Sequence, residues 1–117
     1  MLQARLQDID FKKRGGLVVA IVQEEATGEI IMQAYANPEA VQKTLDTGYA
    51  TFWSTKRDEL WVKGETSGDK MKIKKIQVDC DGDALIYQVT LEGKGGCHVL
   101  DQQGNTRKSC FYRELTR

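Results

Sequence analysis

Five consecutive residues, Asp79-Cys80-Asp81-Gly82-Asp83, place three carboxylates and a thiol in one short stretch. In an extended chain alternate side chains share a face, roughly 6.5–7 Å apart from i to i+2. Asp79, Asp81 and Asp83 would then line one face, with Cys80 on the other. Carboxylates that close repel one another, and a cation relieves the repulsion. Hard oxygen donors suit Mg²⁺, Mn²⁺ or Ca²⁺, whereas a thiolate suits zinc. The same residues also spell a surface hairpin turn, because Asp and Gly are common turn formers. An EF-hand fits poorly: Gly82 comes too early, and Thr90 stands where the bidentate Glu belongs.

The other thiols, Cys97 and Cys110, also lie in the C-terminal third, and the chain's one histidine, His98, adjoins Cys97. Free cysteine is a common core residue, so buried thiols are the plain alternative to a metal site. Gly95, Gly96 and Ser109 are poor core neighbours, however, and the carboxylates beside Cys80 resist burial. No pair has CxxC spacing, which disfavours a four-ligand structural zinc module, while three ligands with an open position is the pattern of catalytic zinc. His98 has three open roles: fourth zinc ligand, surface histidine or general base. Three thiolates overcompensate Zn²⁺ and weaken its effect on bound water, so a base that helps generate hydroxide is the favoured role. Joint action with Cys97 needs a loop, which the glycines before it allow.

A third stretch, Lys63-Gly64-Glu65-Thr66-Ser67-Gly68, can present backbone N–H groups, hydroxyls and a cation to a phosphate. It lacks the order and spacing of a P-loop, and an ordinary polar loop is the plainer reading. Lys56, Arg57 and Lys63, together with Trp53 and Trp61, shift the balance towards a ligand both anionic and aromatic. Core packing is the default for the tryptophans.

The elements that must position these groups are mostly strands. Residues 1–16 read as an N-terminal arm, short and helical or frayed, ending in a turn at Arg14-Gly15-Gly16. Residues 17–117 read as one domain. Leu17 to Val22 and Glu29 to Tyr35 form a hairpin about Thr27-Gly28. Asn37-Pro38-Glu39 starts a helix, Val41 and Leu45 supply its apolar face, and Gly48 stops it. Tyr49 to Ser54 and Leu60 to Val62 make a second hairpin. Met71 to Val78, with Ile73 out of register, and Leu85 to Leu91 make a third. Ser109 to Arg113 reads as a last short strand. The expected architecture is α+β: a β-dominated single domain of antiparallel hairpins with one clear helix.

Composition excludes several function classes. Lys+Arg and Asp+Glu both number 17 over 117 residues, so no net field draws the chain to nucleic acid or an anionic membrane. No run is long and apolar enough to span a bilayer, and no signal-peptide core precedes the domain. An odd cysteine count argues against a secreted disulfide framework and for a reduced, cytoplasmic setting.

Taken together, Phe52-Trp53-Ser54, Leu60 to Gly68, Asp79 to Ala84, Cys97-His98 and Ser109 to Arg113 resemble the phosphoribosyl-AMP cyclohydrolase family of histidine biosynthesis. The likeness runs from about Leu17 to Leu115, five motifs in order. It implies hydrolytic opening of the adenine ring of a phosphoribosyl nucleotide between N1 and the six-position carbon. It implies a cyclohydrolase-like homodimer, dependent on Zn²⁺ and Mg²⁺, with active sites shared between subunits. By the same likeness Cys80, Cys97 and Cys110 bind zinc, one thiol coming from the opposite subunit. Asp79, Asp81 and Asp83 correspond to magnesium ligands and His98 to the proton-transfer residue. Trp53, Arg57, Lys63, Gly64, Glu65, Thr66, Ser67 and Gly68 fall to the substrate. The chain resembles the monofunctional form, without the pyrophosphohydrolase domain fused in some relatives. It departs from the family pattern after His98, where Val99-Leu100 replace Thr-Gly, and twelve residues separate Cys97 from Cys110. A longer loop costs little closure entropy, so Cys110 can still return to the metal. A zinc-dependent purine deaminase would carry H-x-E and P-C-x-x-C elements, absent here. A non-enzymatic zinc-binding interaction domain has no use for the Gly64–Gly68 loop or the triple carboxylate.

Overall fold

The computed structural model describes residues 2–117. Six strands form one mixed sheet: β1 (Val18–Glu24), β2 (Ile30–Ala36), β3 (Thr51–Ser54), β4 (Glu59–Val62), β5 (Met71–Val78) and β6 (Ala84–Leu91). Their spatial order is β4-β3-β2-β1-β6-β5. The single α-helix among the described residues, α1 (Pro38–Thr47), connects β2 to β3. The three expected hairpins all form, β1/β2, β3/β4 and β5/β6. What joins the first hairpin to the last is a parallel pairing of β1 with β6, from Val19↔Ala84 to Glu24↔Val89. A parallel neighbour needs a long crossover, and β2 through β5 supply it.

The sheet curls. Ala50 donates its N–H to the Met71 carbonyl at 2.9 Å and accepts from Lys63 at 3.2 Å, so the chain before β3 bridges from β4 towards β5. Inside lie the alternate residues of the central strands, Val18, Ala20 and Val22 of β1 and Leu85, Tyr87 and Val89 of β6, with Ile31, Phe52 and Met71. Ile73 falls at an irregularity of the β5/β6 register, between Ile73 and Lys75. The short helix Leu6–Asp8 belongs to the N-terminal segment, whose Leu6, Ile9 and Phe11 pack on this core.

Helix α1 begins as its residues dictate. The Asn37 side chain accepts the Ala40 N–H at 2.8 Å, and Pro38 occupies the first turn. Gly48 ends it in the left-handed conformation at φ 78°. The buried face is Ala40, Val41 and Thr44, whereas Leu45 is 54% exposed. The Thr44 hydroxyl explains the preference for this face: it donates to Ala40 O at 2.8 Å and accepts the Thr51 N–H at 3.0 Å, tying α1 to β3.

The expected final strand at Ser109 to Arg113 does not form a ladder. Its backbone meets β2 through one bond, Cys110 N–H to Ile31 O at 2.7 Å, and the Ser109 hydroxyl takes the Ile30 carbonyl at 2.7 Å. A side chain satisfying the strand edge leaves the next backbone groups without a ladder to join.

Candidate active site

Two adjoining cavities open at the end of the sheet where β4 gives way to the Lys63–Gly68 loop. One, of about 370 Å³, is walled by Arg57, Trp61, residues 62–67 and His98. The other, of about 600 Å³, takes in Met32, Gln33, Ser54, Lys56, Gly96 and Cys110. Arg57, Trp61, Lys63 and His98 belong to both walls. The larger cavity elsewhere, about 730 Å³, lies between Leu2, Leu6, Val41, Leu45 and Ile76, with Arg5 and Lys75 at its wall and no cysteine, histidine or carboxylate lining it.

The loop is a compact turn. Glu65 N–H returns to Val62 O at 3.2 Å and Gly68 N–H to Gly64 O at 2.8 Å. Gly64 adopts φ +79° and lies against the Asp69–Lys70 peptide, where a Cβ would overlap backbone, so glycine is required there. Glu65, Thr66 and Ser67 are exposed at the mouth. Lys63 Nζ stands 5.7 Å from the centre of the Trp61 ring, a cation held against an aromatic face. Trp61 in turn leans on Phe52 of the core, ring centres 5.4 Å apart. Of the residues expected to meet a substrate, Arg57, Lys63, Gly64, Glu65, Thr66 and Ser67 line these cavities; Trp53 and Gly68 do not. Trp53 pairs with Leu60 across β3/β4 and with Tyr35 across β2/β3. Gln33 and Ser54 are polar wall residues to which the sequence reading gave no site role, although Ser54 closes the Phe52-Trp53-Ser54 motif. Neither carries a local signal, since one sits in an apolar strand run and the other precedes a polar turn.

Two of the three thiols converge. Cys97 is buried, and its N–H donates to Arg107 O at 3.2 Å. Its sulfur accepts the Val99 N–H at 3.4 Å. Cys110 is exposed as a residue, but partial enclosure of its sulfur, then the neighbouring Cys97, push the thiol up to about 11. Cys80 stands apart. It lies in the β5/β6 turn, beyond the Ala84 end of the β1/β6 pairing. Cys110 docks at Ile31, three to four residues along β1 and one strand beyond it. At roughly 3.3 Å per residue and about 4.8 Å per strand, the separation is on the order of 15 Å. One chain alone brings Cys97, Cys110 and His98 to the same region and leaves Cys80 outside it.

The acidic pentapeptide is a turn rather than an extended run, so face alternation does not arrange its carboxylates. The turn itself does. Asp79 Oδ1 accepts the N–H groups of Asp83 at 3.0 Å and Ala84 at 3.2 Å. Asp10 N–H caps the Gly82 carbonyl at 2.7 Å. The result places one oxygen from each of Asp79, Asp81 and Asp83 within 4.8 Å of the others. Lys13 Nζ sits among them, 3.1 Å from Asp81 Oδ2 and 3.8 Å from Asp83 Oδ2, and Arg14 reaches Asp83 at 3.3 Å. The Lys13 hydrogen bond holds Asp81 below the usual carboxylate range. Burial, then Asp81 and Asp79, push Asp83 upward. An ammonium thus stands where three oxygen donors of the kind that suit a hard divalent ion converge.

A histidine, the Cys110 thiol, cations and an aromatic ring share the walls of these two cavities, a grouping suited to chemistry on a bound ligand. Comparison with known proteins specifies the class. A family model described as phosphoribosyl-AMP cyclohydrolase matches residues 32–112. The phosphoribosyl-AMP cyclohydrolase of Clostridium botulinum is 45% identical over 114 residues, covering 97% of both chains. That of Solibacter usitatus is 45% identical over 108 residues, 92% of this chain and 81% of the relative. The Methanothermobacter thermautotrophicus protein is 48% identical over 99 residues, 85% of this chain and 67% of its own. The chain belongs to the phosphoribosyl-AMP cyclohydrolase family. It is an enzyme, a hydrolase of histidine biosynthesis.

Proposed function

We propose that this chain opens the adenine ring of 1-(5-phosphoribosyl)-AMP by hydrolysing the N1–C6 bond, as a cytoplasmic homodimer that uses Zn²⁺ and Mg²⁺. The observation that carries the reading is that His98 walls the same space as the Lys63–Ser67 loop on one side and Cys110 on the other. Water adds its oxygen to the six-position carbon, the N1–C6 bond breaks, and N1 gains a proton. The six-position carbon with its amine becomes a carboxamide, and the N1 side becomes the formimino group. His98 takes the proton from the attacking water and delivers it to N1. Trp61 offers a ring face to the purine, and Arg57, Lys63 and the Gly64–Ser67 loop hold the phosphates. Trp53 and Gly68 act behind the wall, one pinning β3 to β4 and the other closing the loop.

Cys97, Cys110 and Cys80 would hold zinc, which supplies a Lewis-acid centre that acidifies the attacking water. The thiol chemistry fits that ion, and the remoteness of Cys80 within one chain supports a site completed by Cys80 of a second copy. Asp79, Asp81 and Asp83 would hold magnesium, a reading supported by their converging oxygens and by the Lys13 ammonium already among them.

Two experiments test the proposal. Metal-replete protein incubated with phosphoribosyl-AMP is expected to give the absorbance change of ring opening, and its absence sinks the assignment. Cys80→Ser and Cys110→Ser proteins should each be inactive. Mixed and re-equilibrated, they should regain about a quarter of wild-type activity, because half the dimers carry one intact site. No recovery on mixing counts against a shared zinc site.

A further inference from the structure

We propose that Asp69 is a positioning residue whose carboxylate fastens the Lys63–Gly68 loop to the segment that carries Cys97 and His98. The inference rests on the ring-opening reading of the cavity. The β5/β6 ladder ends at Met71↔Leu91, followed by one more backbone bond from Glu92 N–H to Lys70 O at 2.9 Å. One step further out, Asp69 Oδ1 accepts the Lys94 N–H at 2.9 Å, so a side chain continues the ladder where the backbone no longer does. The same residue closes the loop before it. Its N–H donates to Ser67 Oγ at 3.3 Å, and Gly64 rests directly on its peptide. From the other side Gly93 lies on the Asp69 side chain with no space for a Cβ.

Asp69 is therefore gripped by both segments that must cooperate. The link from Gly93 to Gly96 holds three glycines and is intrinsically loose. Its far end is tied by Gly96 N–H to Lys108 O at 2.9 Å, and the Asp69 carboxylate holds its middle. His98 follows four residues after Lys94 and faces the loop across the smaller cavity. A base displaced by about 1 Å from its substrate loses much of its effect, so a tie at this point sets the rate of the step.

The test compares full-length, zinc- and magnesium-loaded Asp69→Ala and Asp69→Asn. Asparagine keeps the oxygen acceptor and removes the charge. In Asp69→Ala the Lys94 amide should exchange hydrogen roughly five- to tenfold faster, the loss of one hydrogen bond. The same variant should show kcat lowered roughly tenfold or more, at unchanged zinc content. Asp69→Asn should return both readouts to within about threefold of wild type, since the bond is restored. The proposal is overturned if Asp69→Ala keeps wild-type exchange and kcat. It is also overturned if Asp69→Asn is as slow as Asp69→Ala while its exchange is normal, because the charge then acts on the substrate. Should Asp69→Ala not fold, Asp69→Ser, whose oxygen is too short to reach Lys94, replaces it with the same expectations. Failure of the wild type to open the ring sinks the functional reading alone; the exchange comparison still decides whether Asp69 makes the tie.

Discussion

Lys13 Nζ lies 3.1 Å from both the Oδ2 and the backbone oxygen of Asp81, so the N-terminal arm places its own cation inside the triple carboxylate. The arm is held there by backbone as well as charge, through Asp10 N–H to Gly82 O. Gly82, at φ +76°, packs so closely on Asp8 that a Cβ would come within 2.6 Å of its carbonyl oxygen.

A divalent ion that binds the three carboxylates must compete with that ammonium. Lys13→Met should therefore bind Mg²⁺ several-fold more tightly than wild type in calorimetric titration of the metal-free protein. Unchanged or weaker affinity would show that Lys13 and the ion do not share these oxygens.

For His98 substitution separates the role of base from that of ligand. His98→Gln should lower kcat by about two to four orders of magnitude, the usual worth of a positioned acid–base group. Zinc content measured on the same preparation should stay at the wild-type level. Coincident loss of zinc would make His98 a ligand instead.

Cys110 gives the metal-free protein a pH dependence of known sign. Its thiol is raised to about 11, mainly by burial, above the ordinary value of about 8.5. The folded chain keeps a proton that the unfolded chain has released, so stability declines as pH rises from roughly 8.5 to 11. Under the proposed zinc site, loading would run in the opposite direction, because the thiol must lose its proton to bind. Urea midpoints of metal-free protein at about pH 7.5 and about pH 10 should differ more in wild type than in Cys110→Ser. Equal drops would remove Cys110 as the source.

Tyr87 sits in the core with no exposed surface, and among the described residues its hydroxyl meets no partner at full hydrogen-bond geometry. Burial pushes the phenol up to about 12, against a smaller opposing effect of the nearby Thr44 hydroxyl, which donates to Ala40 and accepts from Thr51. Tyr87→Phe removes an unsatisfied polar atom and should be neutral or stabilising by up to about 1 kcal/mol. A clear loss in thermal midpoint would mean the hydroxyl has a partner.

Much of this architecture was legible because local chemistry and tertiary structure agree. Asn37, Pro38 and Gly48 cap α1 as their types predict, and Thr27-Gly28 turns the first hairpin. The parallel β1/β6 seam was not legible, because side-chain periodicity marks a strand without naming its neighbour. The carboxylates grouped as expected but for another reason, a turn braced by Asp79 rather than alternation along a strand. Leu45 illustrates the limit of reading one helix face. A threonine won the buried position because its hydroxyl finds backbone partners on β3. The cavity residues Gln33 and Ser54 come together only through the curl of the sheet, which leaves no trace in local spacing.

The parallel seam also sets an order of assembly. Each hairpin can zip from its own short turn, but Val19 must wait for Ala84, with four intervening strands to be placed first. Contacts between residues that distant in the chain form late and slowly. The acidic turn stands at the start of that seam, where Val19 N–H meets Asp83 O. Any cation that gathers its carboxylates would therefore act during folding as well as after it, by steadying the last closure of the sheet.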